Sequence, residues 1–223
     1  MSLNIRLANS FKKQTTIFAL IAAAGLAAGL SGCASHEGPS DIDALADKVH
    51  KASFEAGPGQ DLSRLVQDQT QIDCSLSKAK PNEKLAAVIQ AREAKNIVYP
   101  ADGKLMGDWK AGAKIFNGGF AYRIGSFIPN KPDAVRGGNC YACHQGEAKE
   151  AAFGNIGPSL LHYGKLRGQS EIVVKTAYNK IYNAKATNAC SAMPRLGHNK
   201  ILSPAQVADL TAYLVSPESP INK

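Results

Sequence analysis

The chain has 223 residues, of which 44% are hydrophobic and 20% charged, a composition that excludes the fibrous and disordered classes. Aromatic residues account for only 7% and glycine is plentiful, which favours a small helical fold with long loops over a β-sandwich. The formal net charge is +8, yet no dense Lys/Arg cluster with interleaved aromatic residues is present. The composition therefore argues against nucleic-acid binding, and the charge suits either an acidic protein partner or a solvated basic surface.

The first 32 residues are arranged like a secretory signal. Arg6, Lys12 and Lys13 form a basic start, and residues 17–30 form an uncharged apolar run. The run is shorter than the roughly 20 residues of a transmembrane helix, so an uncleaved anchor is the less favoured alternative. Removal of residues 1–32 would lower the net charge from +8 to +5, because they carry three positive side chains and no negative ones.

Residues 30–33, Leu-Ser-Gly-Cys, directly follow the apolar run. They resemble the lipobox of bacterial lipoproteins, in which the cysteine becomes the mature N-terminus and carries the lipid. We therefore expect lipid on Cys33 and a periplasmic protein tethered to a membrane by that lipid. Ordinary cleavage nearby would instead leave Cys33 as a free thiol.

A polar tether and a helical segment are predicted between the signal and residue 96. Residues 34–60 contain Gly-Pro turns and a short helix at 41–54, whereas residues 61–80 show no clear periodicity. A longer helix is predicted over 82–97, begun by Pro81 and Asn82. Its residues at helical spacing are Leu85, Val88, Ile89 and Arg92.

Three helices are predicted in the second half of the chain. They cover 109–116, 170–182 and 204–215. Asp108 can cap the first, and Glu171 lies at the positive end of the second. Ser203, followed three residues later by Gln206, is a capping box for the third. The segments between them, including 154–164 and 183–199, are predicted to be loops.

The five cysteines divide into groups with different expected roles. Cys33 is assigned to lipid, and Cys140 and Cys143 belong to the motif described next. Cys74 and Cys190 remain, an even number in an oxidising compartment, which predicts a disulfide between them. Two separate buried thiols are the alternative.

The motif Cys140-Tyr141-Ala142-Cys143-His144 is typical of covalent haem c attachment. The two thiols at this spacing add to the vinyl groups on one porphyrin edge, and the adjacent His144 becomes the proximal iron ligand. A zinc knuckle would need a second ligand pair, and a redox dithiol would leave the histidine unexplained. One covalently bound haem c is therefore the predicted cofactor.

Met193 is the predicted sixth ligand of the iron. It lies 49 residues after His144, in a segment whose Pro194 restricts the backbone beside the thioether. Core packing is the alternative role of a methionine. The other candidates are Met106, a poor one because it precedes the first core helix, and His162 and His198. His/Met ligation leaves no open iron position and so favours electron transfer.

Gly157-Pro158 lies 14 residues after the proximal histidine, counted to the proline. It is similar to the Gly-Pro of class I cytochromes c, whose carbonyl accepts a hydrogen bond from the proximal histidine. Such a bond orients the imidazole and tunes the iron. A plain turn is the alternative.

Several longer blocks resemble one family, the SoxX proteins. These are the small c-type cytochrome subunits of the SoxAX complex in bacterial thiosulfate oxidation. The most specific block is Met193-Pro194-Arg195 followed by a hydrophobic residue and a glycine. The lipobox departs from a plain soluble periplasmic subunit. The matching blocks are 97–110, 137–145, 153–168, 181–197 and 216–223.

The resemblance implies an all-α fold with a class I cytochrome c-like domain at 96–223. It would follow a lipoprotein-type signal at 1–32 and a tether and N-terminal extension at 33–95. The resemblance also implies that the helices at 108–117 and 204–215 cross, with Gly112 permitting a close approach near Tyr213.

The resemblance further implies the partners. A SoxA-like haem subunit would carry the active-site cysteine, and thiosulfate would be oxidatively joined to a cysteine of a SoxYZ-like carrier, a reaction of the L-cysteine S-thiosulfotransferase type. This chain would hold no catalytic residue, and would accept the electrons and pass them to a downstream acceptor. A free-standing lipid-tethered electron carrier and a catalytic cytochrome with an open iron site are the alternatives.

Overall fold

The computed structural model describes residues 41–57, 62–119 and 136–223, and both the predicted signal at 1–32 and Cys33 lie outside them. Seven α-helices and no β-strand are found in these ranges, which confirms the all-α prediction. No helix in the described ranges is long and apolar enough to span a bilayer. The helices are α1 (Asp41–Ser53), α2 (Gln69–Leu76), α3 (Glu83–Ala94), α4 (Trp109–Asn117), α5 (Tyr163–Arg167), α6 (Glu171–Tyr182) and α7 (Pro204–Val215).

Helix α1 belongs to one compact unit, and the chain from Phe54 onward forms a second. Within the second unit, short 3₁₀ turns supplement the α-helices. They lie at Ser63–Leu65, Cys140–Ala142, Ala184–Ala186 and Pro220–Asn222. The segment containing α2 and α3, here called the helical extension (residues 62–95), is therefore part of the same unit as α4 to α7.

The core is built around the contact between α4 and α7. The backbone of α4 approaches α7 so closely that a Cβ atom on Gly112 would overlap the Asp209 carbonyl and lie 2.9 Å from Tyr213 Cβ. Asp209 Oδ1 accepts a hydrogen bond of 2.8 Å from the amide of Asp108, which caps α4. The rings of Phe116 and Tyr213 pack 5.1 Å apart between their centroids. The expected approach at Gly112 is thus present.

Replacing Gly112 by alanine is expected to lower the free energy of unfolding by about 3 kcal/mol, because backbone atoms have to move to admit the methyl group. The higher helix propensity of alanine, worth about 1 kcal/mol, offsets only part of this loss. Urea denaturation measures the change. Gly57→Ala is the control, since no atom lies within 4 Å of its Cβ position. Equal stability of the two variants would contradict the prediction.

Helix α7 begins at the predicted cap and is buried over most of its length. Ser203 Oγ accepts from the Gln206 amide at 3.2 Å, and Gln206 Oε1 accepts from the Ser203 amide at 2.8 Å, which completes the capping box. The Asn222 side chain ties the C-terminal turn to both neighbouring helices. Its Oδ1 accepts from the Gly164 amide at 2.8 Å, and its Nδ2 donates to the Leu214 carbonyl at 3.0 Å.

Two predictions about α3 differ from the structure. The helix ends at Ala94, not at 97, and Val88 is 53% exposed although the spacing placed it on the buried stripe. The buried positions are Ile89 and the charged Glu93, four residues apart on one face. A buried carboxylate in place of an apolar side chain points to a charged partner across the interface.

Two helices lie where loops or no structure were predicted. Helix α2 falls in the 61–80 stretch, and α5 lies at the end of the predicted 154–164 loop. Asp68 begins α2 with a capping box, because its carboxylate accepts from the Gln71 amide at 2.9 Å while Gln71 Oε1 accepts from the Asp68 amide. The structure also joins α2 to the far end of the chain, with a disulfide between Cys74 and Cys190.

Candidate functional site

The Cys-x-x-Cys-His motif forms a single tight turn. A 3₁₀ turn covers Cys140–Ala142, and Asn139 precedes it in the left-handed region with φ of 48°. The amides of Cys143 and His144 both donate to the Cys140 carbonyl, at 3.0 and 2.9 Å. Neither cysteine of the motif forms a disulfide, and Cys140 packs against the hydrophobic core. The turn therefore holds the two thiols and the imidazole together in one short segment.

The ring of His144 is held by the Gly157-Pro158 segment. His144 Nδ1 lies 2.7 Å from the Pro158 carbonyl oxygen. Because a carbonyl can only accept, Nδ1 carries the proton and donates, which leaves the Nε2 lone pair for a metal ion. A Cβ on Gly157 would overlap the ring and lie 2.6 Å from Nε2, so only glycine allows this approach. The Gly157 amide also donates to the Cys143 carbonyl at 2.8 Å.

Met193 lies in an irregular segment between α6 and α7. Its side chain is partly buried and packs against the same hydrophobic core as Cys140. Its amide donates to Ser191 Oγ at 3.2 Å. Residues 190–198 are here called the ligand loop, because they surround Met193, the predicted iron ligand.

The other candidate ligands lie in different settings. Met106 packs against the core next to Gly107, whose amide donates to the Ala208 carbonyl at 3.1 Å. His162 is the residue that precedes α5 and has a left-handed backbone with φ of 58°. His198 Nε2 lies 3.9 Å from Asp68 Oδ2. Burial first, and then the nearby Arg195, lower the pKa of His198.

A buried charged cluster that the sequence did not predict holds the ligand loop. Arg195, only 5% exposed, reaches Asp68 Oδ2 at 2.5 Å and Glu93 Oε2 at 3.3 Å. The Glu93 carboxylate also accepts from Asn183 Nδ2 at 2.7 Å and from the Thr70 hydroxyl. Both acidic partners belong to the helical extension. The Arg in the Met-Pro-Arg block was a clue to this cluster, but its partners are more than 100 residues away.

The two carboxylates of this cluster favour their charged forms. Burial alone raises the pKa of Glu93, but hydrogen bonds from Asn183 and Thr70 and the Arg195 charge outweigh it and hold the pKa below its usual 4.5. In Asp68 burial is likewise outweighed, by the Gln71 amide and by Arg195, so that the pKa lies below its usual 3.8. At neutral pH the cluster is therefore an arginine between two carboxylates.

We expect the Glu93 contribution to stability to disappear in acid. A carboxyl whose folded-state pKa is depressed stabilises the fold above its unfolded pKa, and that stability is lost as the pH falls through the folded-state pKa. Urea denaturation of the wild type should show a falling free energy of unfolding from about pH 5 downward. Glu93→Gln should be less stable at pH 7 and show a shallower fall. Parallel pH curves for the two proteins would contradict this prediction.

The donor set fits a covalently attached haem. Two cysteines within one turn, neither of them in a disulfide, suit two thioether links, and an imidazole with an available Nε2 suits the proximal iron position. The close approach of Gly157 to the imidazole ring restricts the orientation of that ring.

Comparisons with known proteins agree with this chemistry. The family model described as Cytochrome c matches residues 110–217. A protein of Aquifex aeolicus (strain VF5), described as an uncharacterized lipoprotein, is 39% identical over 160 residues, which is 71% of this chain and 74% of that protein. The region matched by the family model contains the haem motif, the ligand loop, α5 to α7, and all of α4 except its first residue, Trp109. Residues 110–217 therefore form a cytochrome c domain, and domains of this family carry covalently bound haem c and transfer electrons.

Proposed function

We propose that the haem centre of this chain has His144 and Met193 as its axial ligands and works in electron transfer. Cys140 and Cys143 would form the two thioether links. The single observation that carries the proposal is the hydrogen bond from His144 Nδ1 to the Pro158 carbonyl, because it leaves Nε2 available to the iron. A haem with two protein ligands supplies one-electron oxidation and reduction and has no open position for substrate.

The residues around the site have separate tasks. Pro158 and Gly157 orient the imidazole, and the thioether links keep the cofactor attached in either oxidation state. The ligand loop presents Met193, a soft sulfur ligand that raises the reduction potential relative to bis-histidine ligation. Carbon monoxide binding to the reduced wild-type protein tests the proposal, because a catalytic cytochrome with an open iron position would bind it readily.

We further propose that this cytochrome is the SoxX-like subunit of a thiosulfate-oxidising complex. The support is the Met-Pro-Arg-Leu-Gly block at 193–197 together with the four other sequence blocks. In this role the chain accepts electrons when thiosulfate is joined to a cysteine of a SoxYZ-like carrier. The bond-making centre would lie on a SoxA-like haem subunit, and a downstream acceptor would reoxidise this chain.

Isolation of the native complex tests this role. An affinity-tagged chain is purified from its own periplasm and membranes, stained for haem, and mixed with thiosulfate and carrier. A second haem-bearing subunit, with reduction of this haem that depends on thiosulfate, supports the proposal. Purification as a lone haem protein that thiosulfate does not reduce would overturn it.

A free-standing lipid-tethered electron carrier is the second candidate, and two observations favour a lipid anchor. Residues 30–33 have the lipobox pattern, and the Aquifex relative is described as a lipoprotein. Cys33 would then carry the lipid and hold the protein at a periplasmic membrane surface. Mass spectrometry of the mature N-terminus decides the matter, since an unmodified Cys33 or a start beyond it would exclude lipidation.

A further inference from the structure

We infer that the helical extension is a brace that positions Met193 toward the haem iron, with Arg195 as its main positioning residue. This inference depends on the proposed role of Met193 as axial ligand. The brace comprises Asp68, Glu93, Arg195 and the Cys74–Cys190 disulfide.

The ligand loop is attached to the extension on both sides of Met193. Three residues before it, Cys190 is bonded to Cys74 of α2. Two residues after it, Arg195 is bound by Asp68, the cap of α2, and by Glu93 of α3. Both attachments therefore end on the same pair of helices, and the chain between them is too short to move far.

The cytochrome domain itself supplies further contacts of the loop. Lys185 Nζ donates to the Ser191 carbonyl at 3.1 Å, and the Gly197 amide donates to the Tyr182 carbonyl at 3.0 Å. A Cβ on Gly197 would overlap the Tyr182 ring, so the loop lies directly on α6 at this point. The Met193 amide makes a local hydrogen bond, to Ser191 Oγ at 3.2 Å.

The geometry of Arg195 suits a role in positioning. Its guanidinium contacts two carboxylates through different nitrogens, Nη2 to Asp68 and Nη1 to Glu93, so its side chain has one fixed direction. Asn183 Nδ2 donates at 3.3 Å to the Glu93 carbonyl as well as to its carboxylate, which fixes the end of α3 in turn. The direction in which Met193 leaves the backbone is thus set by residues of the extension.

The population of protein in which Met193 has left the iron measures the strength of the brace. An exogenous ligand such as imidazole binds ferric haem only in that state, so its apparent affinity scales with the population. Weakening the brace should raise this population even where the protein stays folded. A role confined to global stability would leave imidazole binding unchanged under native conditions.

The experiment compares Asp68→Asn and Glu93→Gln with Asp73→Asn in the complete haem protein. Asp73 also belongs to the extension, and it pairs with Arg92 of α3 at 2.6 Å and accepts a hydrogen bond from Gln69 of α2 at 2.8 Å. We expect Asp68→Asn and Glu93→Gln to bind imidazole at least about tenfold more tightly than the wild type. Arg195→Lys keeps the charge but loses the planar fork, so its imidazole affinity should lie between that of these two variants and that of the wild type. The imidazole affinity of Asp73→Asn should stay within about twofold of the wild-type value.

A second measurement separates this inference from the ligand assignment. Hydrogen exchange of the peptide that covers 190–197 should be faster in Asp68→Asn than in Asp73→Asn. Met193→Ala gives the upper limit of imidazole affinity. If Met193→Ala binds imidazole no more tightly than the wild type, the ligand assignment fails and positioning of an iron ligand fails with it. If Met193→Ala binds more tightly but Asp68→Asn and Glu93→Gln match the wild type, the brace alone is overturned.

Discussion

Met193→Ala is expected to abolish the sulfur-to-iron charge-transfer band at the red end of the oxidised visible spectrum. The band requires a thioether on the iron, and alanine cannot supply one. The reduced protein should then bind carbon monoxide, and the reduction potential should fall, because loss of the methionine sulfur removes a ligand that favours ferrous iron. Absorption spectroscopy, carbon monoxide titration and potentiometry measure the three effects.

Met106→Ala is the matched control, because Met106 is the other methionine besides the initiator and also packs against the core. It should keep the band and exclude carbon monoxide. Met193→Leu preserves most of the side-chain volume and removes only the sulfur, so it separates ligation from packing. Retention of the band in Met193→Ala would reject the assignment, and its loss in Met106→Ala would transfer the assignment to that residue.

Replacing both Cys74 and Cys190 by serine should lower the free energy of unfolding by about 4 kcal/mol. The bridge closes a loop between residues 116 positions apart, so its loss frees a long stretch of unfolded chain. Denaturation in urea measures the difference, with absorbance of the haem as one probe and circular dichroism as another.

A reductant provides the control for the disulfide. With the haem kept ferrous in every sample, reductant should destabilise the wild type to about the level of the double serine variant and should leave that variant unaffected. The thioether links to the haem are not disulfides and do not respond to it. A double variant within about 1 kcal/mol of the wild type would show that the two segments are held together without the bridge.

Local signals predicted the helices well where the caps and the periodicity agree. Ser203 and Gln206 form the predicted capping box, and α4 begins after Asp108 as its side chain indicated. Helix α2 was not predicted, since its sequence is largely polar and carries little periodicity. The Asp68 cap and the Cys74 disulfide stabilise this helix instead. The disulfide partner, Cys190, lies 116 positions further along the chain.

The sequence predicted those features of the site whose residues lie close together along the chain. The haem motif and the Gly-Pro element lie within 20 residues of each other, and the structure brings His144 and Pro158 together. Glu93 was missed because a single glutamate on a helix is more often solvated than buried. Its burial depends on Arg195, and a pairing over 102 positions has no local signature. The ligation by Met193 stays a prediction.

The long-range ties described above bear on how quickly the chain can fold. Asp68 meets Arg195 over 127 positions, and the Asp108 amide meets Asp209 over 101. The chain loses conformational entropy in closing loops of this length before the contacts stabilise the fold. This cost slows folding relative to helical proteins whose contacts are local. Because synthesis begins at the N-terminus, α2 and α3 emerge long before their partners at 190–198. We therefore expect the newly made chain to spend an interval with these two helices undocked, so that attachment of the cofactor and docking of the helices compete in time.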